Sequence, residues 1–309
     1  MKILGISFGR KNGNNDSMCR TVLKECKELG AETEFINMLN VELKPCTGCL
    51  ACTLACFSGQ GNVCSIKDDD CQWLQDKIVN ADGIIISAPI FEKCAPSQFH
   101  IVLDRFGPRM AWSFNTIMTQ MAERGEGKPV DPAILKKKAI SFMAIGGSDW
   151  GTTVQNDFFS FALTQNMAVI DNEWFDWGQD TFAKPERVER ARQIGRNLFE
   201  AAKDPHTATW KGDAGVCPHC HSRSFYIHEG KKVVCSQCGM YGSLEEEHGE
   251  WVFKYTEEML KRAHDTESGA WIHADEVGEN AAIVKDLLAD KTYKARVKEL
   301  ADEFPSVTP

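Results

Sequence analysis

The chain has 309 residues, 43% of them hydrophobic, which is enough for two modest domains or for one domain with additions. A formal net charge of -9 argues against general affinity for nucleic acid or for an anionic membrane surface, so small molecules and proteins are the expected partners. The thirteen cysteines accompany no basic leader and no long apolar run, which argues against a secreted disulfide framework and predicts a reducing cytoplasm.

Short apolar runs alternate with amphipathic segments through residues 1–204. This pattern predicts strands at residues 2–7, 31–37, 83–88, 138–145 and 168–171, with helices at 17–29, 69–80, 96–105, 157–166 and 185–202. Strands that alternate with helices indicate a doubly wound α/β sheet, and ligands of such sheets bind beyond the carboxyl ends of the strands. Each informative loop of this segment lies at such an end.

A polar loop, residues 7–15, joins the first predicted strand to the first helix. The N–H groups of a helix start have no partner within the helix, and the helix dipole favours negative charge, so this loop can bind a phosphate. The alternative is a polar turn that only caps the helix. Two more loops lie at the same edge, and they carry Pro89, Ile90 and Phe91 after the third strand and Gly146, Gly147 and Ser148 after the fourth.

A run of cysteines follows the second predicted strand. Thiolates spaced as C-x2-C-x2-C can converge on one iron centre, so Cys46, Cys49 and Cys52 predict a 4Fe-4S cluster and electron transfer. Cys56 and Cys64 compete as the fourth ligand. Cys56 completes the ferredoxin spacing, but in ferredoxins that cysteine serves a second cluster and precedes proline. The alternative interpretation is a loop of reduced thiols that shapes a dimer.

These residues resemble the flavodoxin-like iron-sulfur flavoproteins and the related NADPH-dependent FMN reductases. The family motif S-G-S-P-R-x-N-G-N-T is matched with one residue missing and Asn15 in place of threonine; the matching residues are Ser7, Arg10, Asn12, Gly13 and Asn14. Residues 81–91 match A-D-G-I-I-x-x-x-P-x-Y, and residues 103–105 match I-D-R. Residues 64–69 match C-x-x-K-D-D, which favours Cys64 as the fourth cluster ligand.

The resemblance implies a flavodoxin-like five-stranded parallel sheet, bound FMN, a 4Fe-4S cluster and a homo-oligomer, either a dimer or a tetramer. It further implies that Ser7, Arg10, Asn12, Gly13 and Asn14 surround the FMN phosphate, that Pro89, Ile90 and Phe91 line the isoalloxazine, and that Gly146, Gly147 and Ser148 meet its other edge. Glu92, His100 and Trp150 are candidate side chains near the site, and no catalytic residue is assigned.

A second cysteine set lies far downstream, at Cys217, Cys220, Cys235 and Cys238. Two C-x2-C knuckles of this spacing predict a zinc ribbon at residues 205–255, with rubredoxin-like iron as the alternative metal. Strands are expected at residues 226–228 and 232–234. His219 and His221 are expected outside the ligand set. The ribbon is interpreted as a docking or substrate-covering module, or equally as a metal-stapled stabiliser of the fold.

The remaining residues, 256–309, are predicted to form helices at 256–264, 279–289 and 293–304. The apolar stripe of Ile283, Val284, Leu287 and Leu288 is expected to pack on a neighbouring domain. Trp150 and Trp174 are candidates to roof a flavin pocket for a flat, aromatic substrate.

Taken together, the sequence predicts an FMN-dependent oxidoreductase whose domain of residues 1–204 carries the cysteine loop 46–64. It would pass electrons between the cluster, ferredoxin or NAD(P)H and a small-molecule acceptor. One alternative is a cluster-free NAD(P)H:quinone or nitroaromatic reductase. Another is a redox-responsive module whose ribbon binds a partner protein.

Overall fold

Five parallel strands form the central sheet of the N-terminal domain. The computed structural model describes residues 1–61, 63–229 and 232–307. The sheet runs in the order β2-β1-β3-β4-β5, which confirms the predicted α/β fold. Ser7 pairs with both Asn37 and Ser87, so the loops that follow these three strands begin at one edge. The strands are β1 (Lys2–Ser7), β2 (Glu32–Asn37), β3 (Gly83–Pro89), β4 (Ala139–Ile145) and β5 (Ala168–Phe175).

Helices cover both faces of this sheet. On one face α1 and α7 pack around Val22 and Leu198, and on the other α3, α4 and α6 pack around Phe99 and Phe158. Their apolar residues alternate with exposed charged ones, which is why each helix buries one side only. The helices of this domain are α1 (Asn14–Glu28), α2 (Ala51–Phe57), α3 (Cys71–Val79), α4 (Ser97–Met110), α5 (Trp112–Glu123), α6 (Val154–Leu163) and α7 (Pro185–Lys203).

Four elements of the N-terminal domain differ from the sequence prediction. Strand β5 continues past residue 171 because Arg190 pairs with the carboxylates of Asp171 and Glu173, which lets polar residues occupy a strand. Helix α4 passes through a kink at Gly107, whose φ and ψ are 19° and -123°, and ends at Met110. Two helices were not predicted, the short α2 and, directly after α4, α5.

The ribbon is a four-stranded antiparallel sheet in the order β6-β7-β8-β9. Its strands are β6 (Phe225–Ile227), β7 (Val233–Cys235), β8 (Tyr241–Glu247) and β9 (Glu250–Lys254), of which β8 and β9 were not predicted. The ribbon core includes Phe159 of α6, so the ribbon packs against the N-terminal domain. The connecting segment runs along β5, where the Lys211 N–H donates to the Ile170 carbonyl at 2.7 Å.

The chain continues into α8 (Glu257–Arg262), α9 (Glu267–Ala289) and α10 (Lys291–Glu303). The first half of α9 packs on α2 and α5, where Ala274 is buried. Its second half extends into solvent, with Ile283 56% and Leu288 58% exposed. The expected packing of this stripe on a neighbouring domain of the same chain is therefore not observed. Among the described helices, none combines the length and apolar character that crossing a membrane requires.

Candidate cofactor site and metal centres

The loop between β1 and α1 is organised by a buried carboxylate that the sequence analysis missed. Asp16 accepts hydrogen bonds from the Ser7 hydroxyl at 2.6 Å, the Asn12 backbone N–H at 2.8 Å and the Asn37 side-chain amide at 2.8 Å. Asn12 takes a left-handed conformation, with a φ of 56°. Asp16 thus draws both ends of the loop and the end of β2 together. The available signal was an acidic residue in the first turn after the loop.

The start of α1 is open to an anion. Gly13 occupies the position before the helix, and no side chain in the described residues caps it there. The first-turn N–H groups can therefore take the oxygens of a phosphate, which argues against a turn that only caps the helix. Asn14 instead holds a neighbouring loop, because its amide donates to the Gly178 and Gln179 carbonyls at 3.2 and 2.7 Å.

Asp16→Asn is expected to weaken FMN binding by about tenfold or more, because one face of the new amide donates where the wild-type carboxylate accepts. The Asn12 N–H would meet another donor and the loop would lose its preorganised shape. Fluorescence titration of the apoprotein with FMN measures the effect. Glu28→Gln, on an exposed residue of the same helix, is the matched control. An FMN affinity of Asp16→Asn within twofold of wild type would contradict the role given to this carboxylate.

The second loop forms a tight turn that presents an aromatic ring. Phe91 and Cys94 exchange backbone hydrogen bonds of 2.9 Å, and Glu92 and Lys93 between them have φ values of 48° and 71°. Two left-handed residues that are not glycine are strained, and such turns persist where the surroundings hold them. Here Thr153 stabilises the turn, because its hydroxyl donates a hydrogen bond to the Lys93 carbonyl at 2.7 Å. Phe91 is left 61% exposed at the sheet edge.

The third loop lies beside the second. The Ile90 N–H donates to the Ile145 carbonyl at 3.2 Å, and a Cβ on Gly146 would come within 3.0 Å of the Ile90 side chain. Trp150 and Trp177 at this edge are 64% and 62% exposed. The three loops thus bring all the predicted cofactor-binding residues to the carboxyl end of the sheet, with exposed aromatic rings around them. Their contacts with FMN stay a prediction.

The remaining candidates have ordinary structural partners nearby. His100 lies 3.6 Å from Asp157, measured between Nε2 and Oδ2, and the same carboxylate accepts the Ala95 N–H at 2.8 Å. Asp157 therefore ties the start of α4 to α6. Trp174 packs against Gly151, where a Cβ would lie only 2.4 Å from the indole. Its ring lines the side of the third loop, whereas Trp150 stands at the edge.

One cysteine of the loop, Cys56, is buried, whereas the other four are exposed or half-buried. Cys49 lies 3.1 Å from the Ser65 hydroxyl, and this hydrogen bond is the main cause that lowers the pKa of Cys49. Burial, with a smaller contribution from nearby Cys64, raises the pKa of Cys52. Cys56 is 2% exposed in an apolar cluster, and burial raises its pKa to about 12. Cys64 is half-buried, like Cys52, whereas Cys56 lies within the apolar cluster, and this difference in burial favours Cys64 over Cys56 as the fourth ligand.

An arginine joins the two ends of the cysteine loop. Arg105 donates to the Lys44 carbonyl at 2.7 Å and to the Ile66 carbonyl at 3.5 Å, and its guanidinium also binds both oxygens of Asp69. The side chains of Arg105 and Asp69 are each 1% exposed. This ion pair fixes where the loop leaves the domain and where it returns.

The ribbon cysteines form a compact donor set. The sulfur atoms of Cys217, Cys220, Cys235 and Cys238 lie within 4.8 Å of one another and all four residues are buried. This separation suits tetrahedral coordination of one ion by four thiolates, and the proposed ion is Zn²⁺. His219 bonds to Asp265, with Nε2 and Oδ1 2.8 Å apart, and the Nδ1 atom of His221 lies 2.9 Å from the Ala214 carbonyl. Both histidines stand outside the donor set, as expected.

The chain is similar to flavin-dependent oxidoreductases in both sequence and structure. NADPH-dependent FMN reductase is the family that matches residues 1–181. A solved structure titled flavone reductase is 45% identical, with a TM-score of 0.89 and coverage of 100% of both chains. An iron-sulfur flavoprotein of Methanocaldococcus jannaschii is 37% identical over 218 residues, 66% of this chain and 98% of that one. A flavone synthase of Aspergillus candidus is 27% identical over 255 residues, 79% of this chain and 78% of that one. This chain therefore belongs to the NADPH-dependent FMN reductase family and is a flavin-dependent oxidoreductase.

Proposed function

We propose that this enzyme binds FMN at the three loops and reduces a flat aromatic carbonyl compound of the flavone type. The observation that carries the proposal is the 45% identity to a flavone reductase over the whole of both chains, including the ribbon and the terminal helices. The exposed rings of Phe91 and Trp150 support it, because flat aromatic ligands pack well on such surfaces.

The chemistry requires the transfer of two electrons. The three loops would hold FMN, which, once reduced by NAD(P)H, would supply a hydride to the carbon β to the carbonyl, and water would supply a proton to the neighbouring carbon. The chain orients the reactants. The open start of α1 holds the phosphate, the turn of Glu92 and Lys93 fixes Phe91, and Gly146 lets the third loop approach Ile90 closely.

The direct test is anaerobic turnover by the FMN-loaded enzyme with NADH or NADPH. Flavone is the probe, and menadione and a nitroaromatic are the comparison acceptors. We expect flavone to be consumed and a product that carries two more hydrogens to be detected by mass spectrometry. Rapid reduction of menadione without any reduction of flavone would contradict the proposal and favour the quinone or nitroaromatic reductase.

We further propose that Cys46, Cys49, Cys52 and Cys64 hold a 4Fe-4S cluster that exchanges single electrons with the flavin. Similarity to an iron-sulfur flavoprotein over 98% of that protein supports this, as does the burial of Cys56 away from solvent. None of the thirteen cysteines, all of which lie in the described part of the chain, forms a disulfide, which supports the proposal that the protein works in a reducing cytoplasm.

Cys64→Ser is expected to abolish iron binding, whereas Cys56→Ser is expected to retain about four irons per chain because only the former removes a proposed ligand. Iron and sulfide assays after anaerobic reconstitution, together with the absorption spectrum, provide the measurement. The opposite pattern would make Cys56 the ligand. Wild-type protein that holds FMN but no iron after reconstitution would exclude the cluster and leave a two-electron reductase.

We also propose that two copies of the chain associate through the terminal helices. None of the residues of α10 is buried in the described part of the chain, yet Val297, Leu300 and Phe304 form an apolar stripe. An isolated helix of this length is marginal in water, so a partner surface is needed to stabilise it. Basic residues from Lys291 to Lys298 on α10 complement the acidic Glu276 and Asp286 on α9, which makes a second copy the fitting occupant.

Leu300→Lys is expected to convert the oligomer into monomers at micromolar concentration, because the substitution places a charge in the middle of the apolar stripe. Light scattering coupled to gel filtration measures the mass. Glu299→Gln, a change on the adjacent residue outside the stripe, is the control. An unchanged mass for Leu300→Lys would place the interface elsewhere. Affinity for a different protein that varied with redox state would instead favour the partner-binding module.

A further inference from the structure

A cleft of about 440 Å³ lies between the edge strand of the sheet and the zinc ribbon. Strand β5 and the start of α6 form one side, and the connecting segment and the first ribbon knuckle form the other. The volume is within the range of small-molecule sites. The lining residues that matter below are Gln155, Asn172, Trp174, Trp210, Asp213 and Arg223.

Two of these lining residues each carry a buried polar atom that lacks a hydrogen-bond partner within the described residues. These atoms are the side-chain oxygen of Asn172 and the indole nitrogen of Trp174. Asn172 is only 6% exposed, and its amide nitrogen already donates to the Gln155 carbonyl at 2.9 Å. The Gln155 side chain in turn donates to the backbone carbonyl of Asn172 at 2.6 Å, and these two hydrogen bonds fix the position of the asparagine. The Asn172 oxygen, an acceptor, and the Trp174 nitrogen, a donor, are thus left without hydrogen bonds, which costs free energy. A ligand hydroxyl group that bonded to both would remove this cost.

The cleft adjoins the proposed flavin site. The Trp174 indole nitrogen lies 3.6 Å from the position that a Cβ on Gly146 would occupy, and the same indole packs on Gly151. Gly146 belongs to the loop expected at the isoalloxazine edge. A flat molecule that starts at the flavin could therefore extend past Trp174 into the cleft. Trp210, which stacks on His221 at 4.8 Å between ring centroids, supplies a second aromatic surface.

The charges of the cleft favour a neutral ligand. Glu173 is already paired with Arg190, at 2.6 Å between Oε2 and Nε. Burial raises the pKa of Glu173, with Arg190 opposing that shift. This leaves Asp213 and Arg223 as one negative and one positive group at the lining. The phosphates of a dinucleotide would add charge beside Asp213 with a single arginine to offset it, whereas a phenol adds none.

We propose that this cleft is the subsite for the hydroxylated ring of the aromatic acceptor. A phenolic hydroxyl accepts a hydrogen bond from the Trp174 indole and donates its own proton to the Asn172 side-chain oxygen. The inference deepens the proposed function and depends on it. It also gives the ribbon a role, because the ribbon closes the far side of a site that the sheet domain alone leaves open.

Trp174→Phe tests the subsite, since it retains an aromatic wall and removes the donor. With FMN-loaded enzyme, we expect the KM for a hydroxylated flavone to rise about three- to tenfold, the loss expected for one hydrogen bond. The KM for unsubstituted flavone should rise by a smaller factor, because that molecule has no hydroxyl group to lose the hydrogen bond. Trp73→Phe, on an exposed tryptophan of α3 outside the cleft, is the matched control. Equal effects on both flavones, or no effect on either, would overturn the subsite.

A second variant tests whether the effect of Trp174→Phe comes only from altered packing around residue 174. Thr152 is exposed at the mouth of the cleft, so Thr152→Trp should obstruct it without altering the core. We expect a rise in KM at least as large for the hydroxylated flavone, with menadione reduction retained. Equilibrium dialysis of the hydroxylated flavone distinguishes the two proposals. Binding without turnover, weakened in both variants, would retain the subsite and reject the reaction, whereas absence of binding to wild type would overturn the subsite.

Discussion

Cys238→Ser is expected to release the ribbon metal and unfold residues 205–255 while the sheet domain stays folded. Within residues 205–255, the fully buried core of the ribbon consists of the four cysteines with Val233, Met240 and Phe253, and the half-buried Val216, Phe225, Leu244 and Tyr255 pack around it. Structural zinc supplies about 10–16 kcal/mol of apparent binding free energy in small ribbons and fingers, which such a core cannot replace. Zinc analysis and limited proteolysis provide the measurement, with cleavage expected in the ribbon first.

Ser236→Ala is the matched control, because this exposed residue lies in the same knuckle and its side chain holds no metal. It should retain one zinc per chain and resist the protease as wild type does. If Cys238→Ser also retained zinc and resisted cleavage, the four-thiolate site would be wrong. The same variant separates the two interpretations of the ribbon. Loss of flavone reduction with menadione reduction retained would show a substrate-covering role, whereas retention of both would show a stabilising one.

Arg105→Met is expected to destabilise the sheet domain by about 3–5 kcal/mol, because it leaves the buried Asp69 carboxylate without its partner. For a domain of this size, that corresponds to a fall in Tm of about 10 °C. The cysteine loop would also lose the bonds that join Lys44 to Ile66, so cluster reconstitution should fail. Asp104→Asn, on the exposed neighbouring residue, is the control and should match wild type.

The pH dependence of this variant provides a second readout. In the wild type, burial is the largest single effect and acts to raise the pKa of Asp69. The hydrogen bonds from Arg105 and from the Lys44 and Cys71 N–H groups, together with the charge of Arg105, outweigh burial and lower this pKa. The stability that this ion pair contributes is therefore present at neutral pH and is lost as the carboxylate is protonated. The stability difference between Arg105→Met and wild type should persist from pH 7 down to about pH 4, the unfolded pKa of aspartate, and narrow as the pH falls below it toward the lowered pKa of Asp69. A constant difference would show that the lost packing, not the charge, dominates.

The double variant Arg105→Met/Asp69→Leu gives the complementary result. Removing both charges leaves no unpaired ion, so part of the lost stability should return. If the double variant were as unstable as the sum of the single ones, the carbonyl bonds to Lys44 and Ile66 would be the main contribution of Arg105.

The sequence predicted the sheet well because its strands are apolar on both faces. Ile84, Ile85 and Ile86 in β3 are all fully buried, and such a run reads as a central parallel strand without further information. The far end of β5 was missed because Asp171 and Glu173 are acceptable in a strand only when Arg190 reaches them across the fold. Long-range pairs of this kind leave no local pattern.

The same limit applies to the site. The polar loop of residues 7–15 and the two cysteine motifs were recognisable from spacing, since the residues of each lie close in sequence. Asp16 was missed because a carboxylate in a phosphate loop looks unfavourable until its three donors are seen. The cleft at Trp174 could not be predicted, because it forms between β5 and a knuckle whose Arg223 lies far along the chain.

The hydrogen bond from the Lys211 N–H to the Ile170 carbonyl bears on whether the sheet domain, residues 1–204, stays in solution without the rest of the chain. β5 is an edge strand of the sheet, and an edge with unpaired backbone groups can pair with another chain and start aggregation. The connecting segment shields part of that edge, and the ribbon core packs beside it on Phe159. A shortened protein that ended near residue 204 would bare both surfaces, so we expect it to lose solubility even where its own core remained intact.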